Sequence, residues 1–340
     1  MLRVLRISGE EVAAVPPEEL SNVKALKQRL NHLHGMPPRF RQRLLLNGTD
    51  TILDEMAELH TSMVLQLLLL PFNSPSPFEV HQLAEHARRG TPAQVEALLL
   101  QQQDPNLVNA RGQTPLVSAC RFGRLENARL LLEAGADVDK ANNSGARALT
   151  QASSHGHLDV VRLLLEFGAN KDLAGAGGRG NTALIRASDK GRVEIVRVLL
   201  EAGASSDLTN NIGMSALMVA SGRGHVEAAQ LLLEAGADKE QASRGTFTPL
   251  ISASSSGQVG TARLLLESGA DKDWANGFGV TALMYASKRG HVGVARLLLE
   301  AGADKDLANH DGKTALMVAS EEGHDEIVAL LEDRKRPRRQ

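Results

Sequence analysis

The residue types that could do chemistry in this chain are histidines, acidic residues and a glycine-rich segment. Three histidines recur at one repeat position and would therefore be spread along the molecule: His225, His291 and His324. Two short pairs offer only two potential zinc ligands each, without a third or fourth nearby: His32 with His34, and His155 with His157. The segment Gly175–Gly180 lacks the Gly-Lys-Ser/Thr of a phosphate-binding loop and a preceding strand.

The acidic residues recur in Ala-Asp-Lys-Asp segments, which indicates solvated turn residues rather than an acid/base pair: Asp271, Asp273, Asp304 and Asp306. No set of nucleophile, base and ligand is predicted to converge. The sequence therefore predicts no enzyme, no cofactor, no metal site and no small-molecule substrate, and a protein whose behaviour is independent of magnesium and nucleotides.

The elements that position these residues follow a fixed interval. Leucines recur every 33 residues, with a single step of 35 between the third and fourth: Leu83, Leu116, Leu149, Leu184, Leu217, Leu250, Leu283 and Leu316. A fixed period in this range predicts an array of repeated structural units.

One unit can be read from its residue types. Thr281 can cap a helix, and Leu283 shares a helical face with the small residues that follow it at the third and fourth positions. Gly290 can end that helix, and a second helix is predicted from Val292 to Glu300, ended by Gly302. Two such helices cannot bury their apolar faces alone, so neighbouring units must stack.

Two units open with Thr-Pro-Leu, at Thr114–Leu116 and Thr248–Leu250, and others open with Thr-Ala-Leu or Ser-Ala-Leu. This pattern resembles the ankyrin repeat, although the histidine that usually follows the leucine is absent. The resemblance covers about three quarters of the chain. It implies an α-solenoid of β-turn fingers and antiparallel helix pairs over residues 78–333. A degenerate cap occupies 78–110, and units begin at 111, 144, 179, 212, 245, 278 and 311.

The first 72 residues lack the repeat. Strands are predicted at Met1–Ile7, Val12–Val15, Arg43–Leu46 and Met63–Leu70, and a helix capped by Ser21. The helix start Asn22–Ala25, the stop Gly35–Pro38 and the segment Gln42–Gly48 resemble ubiquitin. The resemblance implies a β-grasp domain, and the fold class is therefore α+β in two parts. Pro71 and Phe72 replace a diglycine end, which favours a built-in module over a conjugated modifier. Residues 73–77 are predicted to be a linker.

Specificity in an ankyrin-like array is expected at fingers and the exposed side of the first helices. The only tryptophan and the only tyrosine of the chain fall near two phenylalanines in aligned positions. Clustered exposed aromatic residues are typical of interface hot spots. The predicted partner site therefore comprises Ile212, Met214, Phe247, Trp274, Phe278 and Tyr285. Packing of one finger against another within the array is the alternative.

The ubiquitin resemblance implies a second recognition surface. Leu45, Gln66 and Leu68 match the apolar binding patch of ubiquitin, with Gln66 in place of a histidine. Ubiquitin-binding proteins are the partners that this resemblance implies.

Composition limits the remaining classes. The net charge of −2 gives no general attraction to nucleic acid or an anionic membrane. The single cysteine, Cys120, excludes an internal disulfide framework, and is predicted to be a buried small side chain. No secretory signal or membrane span is predicted, so a cytoplasmic or nuclear protein is expected. The basic tail at 334–340 is either an import signal, a phosphate-binding patch or a solvated end.

The sequence thus predicts an adaptor in which the repeats bind one protein and the N-terminal module recruits a second, of the ubiquitin–proteasome system. A plain scaffold or inhibitor with the module acting as a cap, a nuclear regulator and a regulatory subunit of another chain stay open. The weakest internal seam is predicted between the units starting at 144 and 179. There, Arg147 replaces the capping Thr or Ser, and Gly175–Gly180 adds two residues.

Overall fold

The computed structural model describes residues 1–16, 20–60, 63–74, 76–175, 179–244 and 246–332. The chain divides into an N-terminal unit, Met1–Ala148 with Glu166–Ala169, and a C-terminal unit, Leu149–Leu165 with Asn170–Gln340. A four-stranded sheet precedes an array of helix pairs, so the predicted two-part α+β class is confirmed.

The sheet in the N-terminal unit has the strands β1 (Leu2–Arg6), β2 (Glu11–Val15), β3 (Gln42–Leu46) and β4 (Val64–Leu69). Their order is β2-β1-β4-β3, with β1 and β4 parallel and the other pairs antiparallel. Helix α1 (Val23–His34) packs on one face of the sheet through Val23, Leu26 and Leu30, which are fully buried with Leu44 and Leu65. This mixed sheet with one helix fits a ubiquitin-like module.

The N-cap of α1 is Asn22, and the prediction of Ser21 was wrong by one residue. The Asn22 side-chain oxygen accepts a hydrogen bond from the backbone N–H of Ala25 at 3.0 Å, the spacing from an N-cap to the third helical residue. Ser21 lies too early in the chain to reach that donor. The helix ends as predicted at Gly35, which adopts the left-handed conformation with a φ of 62°.

The helices of the array come in consecutive pairs. In chain order they are α2 (Pro77–Arg89), α3 (Pro92–Leu100), α4 (Pro115–Arg121), α5 (Leu125–Glu133), α6 (Ala148–His155), α7 (Leu158–Glu166), α8 (Ala183–Asp189), α9 (Val193–Glu201), α10 (Ala216–Arg223), α11 (Val226–Glu234), α12 (Pro249–Ser255), α13 (Val259–Glu267), α14 (Ala282–Arg289), α15 (Val292–Glu300), α16 (Ala315–Glu321) and α17 (Asp325–Glu332).

Threonine or serine caps define where the first helix of most repeats begins. Each hydroxyl accepts a hydrogen bond of 3.2 to 3.4 Å from the N–H three residues later, at Thr114, Thr182, Ser215, Thr248, Thr281 and Thr314. The periodic leucines just inside these helices are at most 3% exposed from Leu116 to Leu283. Caps and leucines together therefore set the repeat register that the sequence predicts.

Arg147 departs from this scheme. Its guanidinium donates a hydrogen bond to the backbone oxygen of Asp139, and arginine has no acceptor with which to cap α6. In the glycine-rich segment the N–H of Gly175 donates to the oxygen of Asn181 at 3.0 Å. Residues 176–178 of this segment lie outside the described residues, so the weak seam stays a prediction.

A buried arginine joins the sheet domain to the first repeats of the N-terminal unit. Arg39, in a short 3-10 turn over Arg39–Arg41, is 1% exposed and contacts three carboxylates. Glu55 lies within the sheet domain, whereas Glu96 on α3, at 2.8 Å, and Glu133 on α5, at 3.1 Å, belong to the repeats. A network of ion pairs thus links the sheet domain to the repeats, and its central cation, Arg39, is shielded from water.

The same junction brings backbone and ring close together. Gly135 has a φ of 86°, and a Cβ at this position would lie 2.7 Å from the Pro38 ring. Two residues of the predicted linker at 73–77 make hydrogen bonds. Asn73 donates its backbone N–H to the oxygen of Gln102 at 2.9 Å, and Ser76 is the N-cap of α2.

Candidate protein-binding groove

The fingers of the C-terminal unit hold apolar side chains at their tips through a recurring asparagine. The side-chain oxygen of Asn210 accepts from the N–H groups of Ile212 at 3.1 Å and Met214 at 3.0 Å. The side-chain oxygen of Asn276 likewise accepts a hydrogen bond from the N–H of Phe278 at 2.9 Å. These turns leave Ile212 48% exposed and Phe278 66% exposed. Both predicted residues therefore lie at finger tips where a partner could reach them.

A cavity of about 320 Å³ lies beside these fingers, between α8, α10 and α12. Three of the predicted residues line it: Ile212, Met214 and Phe247. Its floor contains the fully buried side chain of Met218. Three of the six predicted residues therefore lie together along this cavity.

The remaining predicted residues separate into different environments. The rings of Phe247 and Tyr285 pack together with centroids 5.3 Å apart, and the side-chain amide of Asn276 donates to the Tyr285 hydroxyl at 3.4 Å. Tyr285 also lines a second cavity of about 220 Å³. Trp274 is half-buried, and neither it nor Phe278 lines either of these cavities. Packing within the array therefore accounts for part of the aromatic cluster.

Sequence reasoning missed the charged and small residues of the larger cavity. Arg179, Arg186 and Arg223 line it together with Asp189. Gly222 and Ser255 stand seven residues after their caps, where the neighbouring repeats carry Asp189, Lys288 and Glu321. A comparison of this aligned position across the repeats would have revealed the gap in the wall.

Asp189 holds part of this charge. Its carboxylate lies 2.9 Å from Arg223 and 3.3 Å from Lys190. Burial opposes ionisation, but the hydrogen bonds and positive charges of Lys190 and Arg223 outweigh it and lower the pKa of Asp189 below its ordinary value. The carboxylate is therefore ionised at neutral pH.

The second predicted surface lies on β3 and β4 of the ubiquitin-like module. Leu45 pairs directly with Gln66, and Leu68 lies opposite Arg43 on the neighbouring strand. All three predicted residues are half-buried, whereas the alternating Leu44, Leu65 and Leu67 are buried against α1. Leu45, Gln66 and Leu68 therefore share the face of the sheet that points away from the helix.

The recurring histidines and acidic residues are structural. The Nε2 atom of His291 lies 3.2 Å from the backbone oxygen of Ser255, and His225 and His324 make the equivalent contacts with Asp189 and Lys288, each 36 positions earlier in the chain. Asp271 and Asp304 accept N–H groups of their own finger turns at 2.9 Å. Within the described ranges no group of three or more His, Cys, Asp or Glu residues could hold a metal ion.

Cys120 is fully buried in α4, as predicted. Burial in apolar surroundings raises the pKa of its thiol far above the ordinary value. The thiol is therefore protonated and shielded from reagents at neutral pH. The basic tail at 334–340 lies outside the described residues, and no helix in the described part of the chain is long and apolar enough to cross a membrane.

Comparison with known proteins agrees with the repeat architecture. A family model described as ankyrin repeats (3 copies) matches four overlapping segments, residues 81–175, 167–243, 203–276 and 250–339. The ankyrin repeat domain of human ASB11 is similar in structure, with a TM-score of 0.60 and 30% sequence identity over 66% of this chain and 100% of that one. The search of curated proteins gave no match.

Proposed function

Because the chain belongs to the ankyrin-repeat family, whose arrays are typically non-catalytic scaffolds for protein–protein interaction, we propose that it is a non-enzymatic adaptor. One protein binds along the fingers and first helices of the C-terminal unit. A second binds the ubiquitin-like module. The partners are proteins rather than small molecules, membranes or nucleic acids.

The exposure of Phe278 carries the first half of this proposal. Its ring is 66% exposed at a finger tip, and Ile212 occupies the equivalent tip two repeats earlier. Folding gains little from leaving a phenylalanine in water, whereas a partner would gain its burial. The adjacent cavity of about 320 Å³ offers a place for partner side chains.

The sheet face of the ubiquitin-like module supports the second half. The repeats contact this module through Lys24 on α1 and through Pro38 and Arg39. Leu45 and Leu68 lie on the opposite face of the sheet. By resemblance, ubiquitin-binding proteins of the proteasome system are the proposed partners. The proposed location is the cytoplasm or nucleus, because these compartments are reducing and Cys120 has no disulfide partner within the chain.

A second candidate function is that of a plain scaffold in which the module only caps the repeats. The Arg39 network favours it, because a module that is joined to α3 and α5 by a buried cation covers the first repeats. The two candidates differ in whether the Leu45 face has a partner of its own.

Affinity capture with the full chain and three variants tests the proposal. The double variant Trp274→Ala and Phe278→Ala should weaken binding of the groove partner by about 2 kcal/mol or more, as for hot-spot residues, with little change in thermal midpoint. Phe167→Ala is the matched control, because Phe167 is 41% exposed but lies outside the groove. Leu45→Asp should remove only the second partner. Lower stability with unchanged affinity would support packing within the array instead.

A further inference from the structure

The cavity between α8, α10 and α12 is lined by small residues on two of these helices. Gly222 on α10 and Ser252 on α12 line it, and a Cβ added at Gly222 would lie 3.6 Å or more from any neighbour. Tyr285 and Arg186 stand four residues after the cap of other repeats, where Ser252 stands in this one. The repeat that follows carries the larger Lys288 and Tyr285 at these two positions, so Gly222 and Ser252 leave space beside their helices.

The rim of this cavity carries unbalanced positive charge. Asp189 is paired with Arg223 at 2.9 Å. Among the described residues no carboxylate lies within ion-pair distance of Arg179 or Arg186, which line the same cavity. Arg186 is half-buried, so its side chain is only partly surrounded by water. An anionic group that enters the cavity would therefore gain a charge-assisted hydrogen bond with little competition from the protein.

The opposite wall is apolar. Phe247, Ile212 and Met214 project from two neighbouring fingers, and Met218 lies beneath them. A volume of about 320 Å³ is at the lower end of the range for small-molecule sites, about 300–1,000 Å³, and suits a few side chains of a bound segment.

We propose that this cavity binds a peptide segment of a partner in which an Asp or Glu side chain lies next to a large apolar one. The carboxylate binds Arg186, with Arg179 at the rim, and the apolar side chain occupies the space beside Phe247. This inference rests on the proposed function of the groove and adds the chemistry of the ligand.

A carboxylate fits this site better than a phosphate does. Asp189 lines the same cavity and is ionised at neutral pH, because Lys190 and Arg223 outweigh its burial and lower its pKa. A phosphate group carries about −1.5 to −2 charges and would be repelled by Asp189 more strongly than a carboxylate with a single charge.

The test is a selection of peptides about twelve residues long from a random display library on the full chain, followed by affinity measurements with the synthetic winners. Peptides with an acidic residue within two positions of Leu, Met or Phe should be enriched. Arg186→Gln should weaken their binding roughly tenfold or more, since hydrogen bonds to charged groups have this magnitude. Arg263→Gln, which changes an exposed arginine on α13 outside the cavity, should leave affinity unchanged.

Gly222→Trp fills the cavity and should abolish binding, whereas Gly222→Ala should retain it, and circular dichroism would verify that both variants fold. Enriched peptides without acidic residues, equal affinity for Arg186→Gln, or tighter binding when phosphoserine replaces the acidic residue would overturn the proposal. Failure to enrich any peptide would overturn it as well. Peptides that are lost with Phe278→Ala but not with Gly222→Trp would contradict this inference and leave the proposed groove function standing.

Discussion

The Arg39 network allows a quantitative prediction about how the ubiquitin-like module is held. Removing one partner of a buried ion pair costs about 3–5 kcal/mol, because the charge left behind is uncompensated. In Arg39→Gln, two of the three carboxylates still have an ion-pair partner: Glu55 pairs with Lys27 at 3.1 Å, and Glu96 pairs with Lys24 at 3.8 Å. Glu133 is 18% exposed and loses the cation that holds it at 3.1 Å, so the cost should be near the lower limit, about 3 kcal/mol.

A double-mutant cycle isolates the part of this energy that crosses from the module to the repeats. Arg39→Gln and Glu133→Gln, alone and together, should show a coupling of about 1.5–2 kcal/mol, within the range for contacting residues. Native-state hydrogen exchange of amides in β3 and α5 of the full chain is the suitable assay, because it reports opening of each segment without assuming a single unfolding transition.

The pair Arg3 and Glu11 provides the matched control. Its atoms lie 2.6 Å apart, but the side chains are 56% and 41% exposed, so its coupling should be below about 1 kcal/mol. If the Arg39 and Glu133 cycle gives no more coupling than this surface pair, the network does not hold the module on the repeats. Slower exchange in α5 after Arg39→Gln would refute the reasoning equally.

Three further predictions concern other parts of the chain. Leu45→Asp should abolish capture by ubiquitin-binding domains while leaving exchange in the sheet core unchanged, and a wild-type chain that shows no such capture would remove the second half of the adaptor proposal. Arg147→Thr restores a cap worth about 1 kcal/mol and should slow exchange in α6 about fivefold, whereas uniform protection of residues 144–180 and 212–244 in the wild type would show that no weak seam exists. Because the pKa of Asp189 is lower in the folded than in the unfolded chain, its ionised form stabilises the fold at neutral pH, and this contribution is lost as the pH falls through the folded value, below the ordinary 3.8. The stability difference between wild type and Asp189→Asn in denaturant titrations should therefore shrink in acid, and a difference that grows below pH 4 would contradict it.

Much of the fold was predictable because local and periodic signals agree. Except at Arg147, the Thr and Ser caps begin the first helices of the repeats as predicted, and helix α15 has the predicted bounds, Val292–Glu300. The predicted cap at Ser21 was one residue too early. Serine and asparagine are both good caps, and the sequence alone does not show which of Ser21 and Asn22 accepts from the N–H three residues later.

The candidate site was less predictable because its cavity depends on the absence of a large side chain at one position. Aligned positions revealed the aromatic residues, but the cavity exists through the absence of side chain at Gly222, and its charge through Arg186 on a different helix. Aligned positions placed Phe247 and Tyr285 in one site, but the direct packing of their rings is seen only in the structure. The Arg39 network joins residues from the module, α3 and α5, and no periodic signal points to it.

Site-specific photo-crosslinking tests the central claim most directly. A photoreactive phenylalanine analogue at position 278 replaces a ring that is 66% exposed, and the same analogue at Phe167 provides a control of the same residue type outside the groove. The adaptor account predicts a discrete crosslinked protein from position 278 that Gly222→Trp or an acidic competitor peptide diminishes, and no such product from position 167. Equal products from both positions, or none from position 278 while the full chain still captures its partner, would contradict the account.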